Sequence, residues 1–136
     1  MATFNTDITL KERLGSDLKF PIIGSFQPID GLALLIQDIQ LLLLTIPGER
    51  VFRPTWGCPL RTYVWENIDD LVNKGPSVIK HALEQFEPRI TVTSVSGVPN
   101  RNTGLVAFKI RFNVKATNSP VNLVFPFRSG SALSQA

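Results

Sequence analysis

Val106-Ala107-Phe108-Lys109-Ile110-Arg111-Phe112-Asn113-Val114 alternates large apolar residues with small or polar ones. A period of two sends Val106, Phe108, Ile110, Phe112 and Val114 to one face and Ala107, Lys109, Arg111 and Asn113 to the other, which predicts a half-buried strand of an antiparallel sheet. Upstream, residues 98–104 (VPNRNTG) read as a turn. Ile90-Thr91-Val92-Thr93-Ser94-Val95 before it is rich in the β-branched residues that suit a strand. Downstream, Asn118-Ser119-Pro120 turns the chain again, and Val121-Asn122-Leu123-Val124-Phe125 returns as a third strand. Together these segments predict an antiparallel meander.

Further upstream the period becomes helical. Gly75-Pro76-Ser77 opens a helix with Pro76 in its first turn, where a missing N–H costs little. Val78, Ile79, Ala82, Leu83 and Phe86 form its apolar stripe, and Lys80, His81, Glu84 and Gln85 its wet side. An earlier helix starts with Asp30 as N-cap and Gly31. Leu32, Leu35, Ile36, Ile39 and Leu43 share one face, and Gln37, Asp38 and Gln40 another. Leu41, Leu42 and Leu44 add apolar surface elsewhere, which predicts burial on most sides. Thr45-Ile46-Pro47-Gly48 ends this helix. Between the helices, Pro54, Gly57 and Pro59 punctuate a shaped loop, Tyr63, Val64, Trp65 and Ile68 carry apolar surface that must dock, and Asp69-Asp70 can cap a short turn. Asp17 to Ile22 reads as extended chain, because residues before Pro21 avoid the helical region. The resulting class is α+β: a small single domain with two main helices packed on one face of an antiparallel β-meander. Residues 1–14 form an N-terminal arm, 15–128 the domain and 129–136 a polar C-terminal tail.

Composition narrows the function. The 136 residues are one domain's worth, and 43% hydrophobic with 18% charged is enough to bury a core. Fourteen basic and eleven acidic residues leave a net charge of +3. The basic residues Lys19, Arg50, Arg53, Arg61, Lys74, Arg89, Lys109 and Arg128 form no run, so a nucleic-acid stripe is disfavoured. Residues 29–46 are too short and too interrupted by polar groups for a membrane span, and the N-terminus lacks a secretory apolar core. The single Cys58 excludes an internal disulfide and a thiol-rich metal site. It reads as a small buried filler. The single His81, on the wet side of its helix, reads as a surface residue. No metal, cofactor or catalytic set is expected.

A glycoside hydrolase would need two carboxylates about 5–9.5 Å apart. Glu49, Glu66, Glu84 and Glu87 are the candidates, but Glu84 sits on a wet helix face. Glu49 and Glu87 each neighbour an arginine, and a cation beside a carboxyl favours the ionised form that a general acid cannot use. Two other groupings stand out. Pro47-Gly48-Glu49-Arg50 presents a Glu-Arg pair on a turn, and Glu87-Pro88-Arg89 places opposite charges either side of a stiff junction between helix and strand. Such a junction is either an internal salt bridge tied to Glu49 or Arg50, or a pre-organised polar fork for a partner.

These residues resemble a known family. Gly15-Ser16-Asp17-Leu18 with Phe20-Pro21, Asp38-Ile39 ahead of Leu43-Leu44-Thr45, Pro47-Gly48-Glu49-Arg50, Arg53-Pro54, Gly57-Cys58-Pro59-Leu60 and Glu87-Pro88-Arg89-Ile90 follow one another as in the small baseplate wedge protein of contractile-tailed bacteriophages. That family has counterparts in type VI secretion and related contractile injection systems. The resemblance covers about Gly15 to Phe127. It implies a fold like the inner domain of tail-sheath subunits and a structural, non-enzymatic role in the baseplate, assembled in the bacterial host cytoplasm. It further implies docking of Glu87, Pro88 and Arg89 on the helical core bundle of the wedge, with Glu49 and Arg50 in support. The strand carrying Val121, Leu123 and Phe125 would offer its edge to the tail sheath protein by strand addition. Tail tube or hub proteins would be further neighbours, in a ring of sixfold symmetry, with no nucleic acid and no membrane involved. Some family members carry a lysozyme label, so a muramidase-like hydrolase stays open as the alternative.

Overall fold

In the computed structural model, which describes residues 16–18 and 28–128, a three-stranded antiparallel sheet runs β3 (Ile90–Asn100), β4 (Leu105–Val114), β5 (Ser119–Arg128), with β4 in the centre. A two-stranded ribbon of β1 (Ser16–Leu18) and β2 (Pro28–Asp30) precedes helix α1 (Gly31–Leu44). A 3-10 helix (Pro59–Trp65) and helix α2 (Ile68–Phe86) follow. The expected arm (1–14), the rest of the extended segment (19–22) and the polar tail (129–136) lie outside the described residues.

The alternation that predicts β4 holds along its length. Val106, Phe108, Ile110, Phe112 and Val114 are buried, while Lys109 and Arg111 on the other face are exposed. Register aligns Val92 with Phe112, Val95 with Ile110, Phe108 with Phe125 and Val106 with Phe127, so one face of all three strands is apolar. A bulge between Val92 and Ser94 shifts the pairing. β3 is longer than expected: Val98, Pro99 and Asn100 pair with Ala107, Val106 and Leu105, and the turn is confined to 101–104. Ser119 and Pro120 likewise belong to β5, opposite Val114 and Asn113. At both ends cross-strand pairing overrides the turn preference of Pro and Asn, which is a local signal only.

Helix α2 packs on the apolar face of the sheet. It starts at Ile68, not at Gly75-Pro76-Ser77 as expected, and Pro76 lies inside it. The buried positions Leu71, Gly75, Ile79, Ala82 and Leu83 keep helical spacing straight through the proline. Their shared burial outweighs the cost of about 3 kcal/mol for one lost backbone bond and the crowded preceding turn. Asn67 is the N-cap residue, and Asp69 and Asp70, rather than capping a separate turn, occupy the first turn and favour its positive end. Gly75 lets the helix approach the sheet: a Cβ there would stand 2.6 Å from Cε1 and Cζ of buried Phe108.

α1 contributes Leu35, Ile39, Leu42 and Leu43 to the same core. It is less enclosed than expected. Leu44 is half exposed at the last turn, whereas Gln37 is buried. Trp65 also departs from expectation: Tyr63, Val64 and Ile68 pack on the core, but the indole of Trp65 stands in solvent at the end of the 3-10 helix. The capping role expected of Asp30 falls on a side chain outside the described residues.

Candidate functional site: a polar cleft beneath the loop

The chain between α1 and the 3-10 helix closes on itself. The Cys58 N–H donates to the Thr45 carbonyl at 2.9 Å, and Thr45 Oγ1 donates to Leu41 O at 2.7 Å. Gly57 makes the closure possible, with φ +142° and a would-be Cβ 2.6 Å from Thr45 O. Inside the loop the Ile46 N–H donates to Glu49 Oε2 at 3.0 Å, and the Glu49 N–H returns to Ile46 O at 3.1 Å. Cys58 is fully buried, and burial pushes its thiol up to about 11, so it is a filler and not a nucleophile at neutral pH.

This loop, the C-terminal half of α1 and the end of α2 enclose a cleft of about 410 Å³. Leu41, Leu42, Trp56 and Phe86 give it apolar surface, with Trp56 and Phe86 tilted against each other at 6.5 Å. Arg50, Arg53, Asp38, Glu87, Pro88 and Arg89 complete the lining. The Arg50 guanidinium lies 3.8 Å over the Trp56 ring, a cation–π stack.

Pro88 ends the helix, and Glu87 leaves the α region at φ −119°, ψ 86°, as expected of a residue before proline. The two charges flanking Pro88 turn towards each other. Arg89 Nε donates to Glu87 Oε1 at 2.7 Å and Arg89 Nη2 to Glu87 Oε2 at 2.8 Å, a bidentate fork. The same Nη2 donates to Asp38 Oδ2 on α1 at 2.6 Å. The salt bridge therefore ties the junction to Asp38 and not to Glu49 or Arg50, because Glu49 is spent on its own turn and Arg50 on Trp56. The Glu87 side chain is 7% exposed, against 28% for Arg89 and 32% for Asp38. Hydrogen bonds donated to Glu87, then to Asp38, raise the Arg89 pKa above its ordinary value.

Of the residues singled out from sequence, the cleft gathers Arg50, Glu87, Pro88 and Arg89 but not Glu49. Val121, Leu123 and Phe125 lie on the core face of β5, half-buried or buried, so a partner on this strand would meet its backbone margin and the exposed face with Val124, not these three side chains. Asp38, Arg53, Trp56 and Phe86 are additions. The Asp38–Arg89 bond spans 51 positions, and its one local clue is that Asp38 is the single charged residue of α1. Asp38 and Glu87 are the two carboxylates of the cleft, and both accept hydrogen bonds from Arg89.

A small α+β unit of this shape recurs among the parts of contractile assemblies. The baseplate of the anti-feeding prophage contains a chain with TM-score 0.63 at 22% identity, covering 89% of this chain and 90% of that one. The type VI secretion baseplate complex contains another, with TM-score 0.59 at 16% identity, covering 69% and 89%. At these identities the likeness is one of fold. A Geobacter sulfurreducens protein labelled a tail lysozyme gives TM-score 0.61 at 31% identity, covering 79% of this chain and 94% of that one. The family described as baseplate wedge protein gp25 matches residues 30–119, and the chain belongs to that family. Baseplate wedge protein gp25 of Enterobacteria phage T4 is 29% identical over 85 residues, 62% of this chain; the match spans 64% of the length of that curated relative.

Proposed function

We propose that the chain is a non-enzymatic structural subunit of a contractile-tail baseplate wedge. It docks through the cleft, with Glu87, Pro88 and Arg89 at its wall and Glu49 and Arg50 supporting the loop, on the helical core bundle of the wedge. It starts the tail sheath by offering the edge of β5, in a sixfold ring around the tube. The observation that carries this reading is the margin of β5. The strand pairs with β4 alone among the described residues and bears no charge from Val121 to Phe125. A long, uncharged edge is an aggregation hazard unless another strand covers it.

The prolines of β5 indicate how the edge is gripped. Pro120 and Pro126 share one parity, and an edge strand accommodates proline where its missing N–H would face away from the sheet. The same parity turns the backbone groups of Asn122 and Val124 outward, so an added strand is held there and not at Val121, Leu123 or Phe125. Val124→Pro removes one outward N–H and leaves the ladder with β4 intact. The expected variant folds, melts within a few degrees of the parent and fails to seed sheath on isolated baseplates. Normal sheath growth from it overturns strand addition at β5. The hydrolase reading finds no support in a cleft whose two carboxylates share one arginine.

A further inference from the structure

The tip of the 45–58 loop is the most exposed apolar surface among the described residues. Phe52 is 97% exposed and Val51 86%. Their exposure is enforced by the backbone. The Arg53 N–H donates to Arg50 O at 3.2 Å and the Trp56 N–H to Arg53 O at 3.1 Å, two successive turns that hold the tip outward. The apolar lining of the cleft adjoins this loop, yet Trp56 occupies it and Phe52 does not. An isolated exposed apolar residue is ordinary, but an adjacent pair held out on a tied loop marks a contact. Fixed in advance, such a pair loses little entropy on binding.

Charge specifies the partner. Residues 50–53 carry Arg50 and Arg53 and no acid, and the neighbouring Glu49 carboxylate is turned back on the Ile46 N–H. Stacking on Trp56 fixes the Arg50 guanidinium beside the tip. We propose that Val51 and Phe52 form a plug that seats in an apolar pocket of a neighbouring protein, with acidic groups on the pocket rim facing Arg50 and Arg53. A lipid surface fits less well, because stable membrane attachment needs a broad apolar face and a tight turn offers two side chains. The plug rests on the assembly role proposed above: Arg50 and Arg53 also line the cleft beside the Glu87–Arg89 junction, but Val51 and Phe52 are no part of that lining.

The test places the photo-crosslinker benzoylphenylalanine at position 52 in the intact assembly and identifies the crosslinked peptide. The expected product joins this chain to one other protein, at an apolar segment bordered by Asp or Glu. With that protein purified, Phe52→Ser weakens binding about tenfold or more, as for an aromatic anchor, without moving the melting temperature. Arg53→Glu also weakens it and flattens its salt dependence. Crosslinks confined to a second copy of this chain, flotation with phosphatidylglycerol vesicles that Phe52→Ser abolishes, absence of any crosslink, or parental affinity of Phe52→Ser each overturns the proposal.

Discussion

Arg89→Ala cuts the bond between the end of α2 and α1. The guanidinium satisfies both oxygens of a Glu87 carboxylate that is 7% exposed, and one oxygen of Asp38. Removing one partner of a fully buried ion pair costs about 3–5 kcal/mol, because the remaining charge is stranded. Arg89 and Asp38 are about a third exposed, and water reaching them screens part of that loss. The expected destabilisation is about 2–3 kcal/mol, or roughly 6–15 °C in melting temperature for a domain of this size. Arg89→Lys keeps the charge but cannot form the fork, and should fall between the parent and the alanine variant. Urea unfolding followed by circular dichroism supplies the measurement. If Arg89→Ala loses less than about 0.5 kcal/mol, the junction behaves as an exposed pair and the argument from stranded charge is wrong. The same number governs any docking assay, which must be run where the variant is still folded.

Gly75→Ala should destabilise the domain despite Ala's better helix propensity, because the new Cβ would stand 2.6 Å from the buried Phe108 ring. Overpacking of about 1–3 kcal/mol exceeds the helix gain of about 1 kcal/mol. Combining it with Phe108→Leu should cost less than the sum of the two single changes, as a thermal-melt cycle would show. Cys58 should resist aromatic disulfide reagents at pH 8 in the folded protein and titrate fully in guanidinium. Its thiol stands at about 11 when folded against an ordinary 9.0, so the folded state holds the proton longer. Stability is then whole below pH 9 and declines between pH 9 and 11, by up to roughly 2–3 kcal/mol, a decline that Cys58→Ala should lack.

The meander and both helices were legible because β4 and the α2 stripe carry clean periods that burial enforces. Pro76 misleads because its usual place is a first turn, whereas Leu71 and Gly75 continue the stripe upstream of it. Trp65 misled in the opposite way, since size alone does not say which apolar side chains find the core. The Glu87-Pro88-Arg89 junction could be picked out, but its closure on Asp38 could not, because nothing local connects a helix face to a turn 51 positions on. The openness of Phe52 was equally hidden: a pair of apolar residues between arginines reads the same whether the loop folds inward or is tied outward by its own turns.

The tie between Cys58 and Thr45 has an evolutionary consequence. The chain leaves and re-enters the body of the protein through one narrow gate, and residues 47–55 between the posts are exposed throughout. The tip at Val51 and Phe52 can therefore be rewritten without disturbing the interior, while the shared residues on either side keep the loop's shape. A scaffold arranged in this way can change its neighbour by changing a cassette and keep everything that makes it fold.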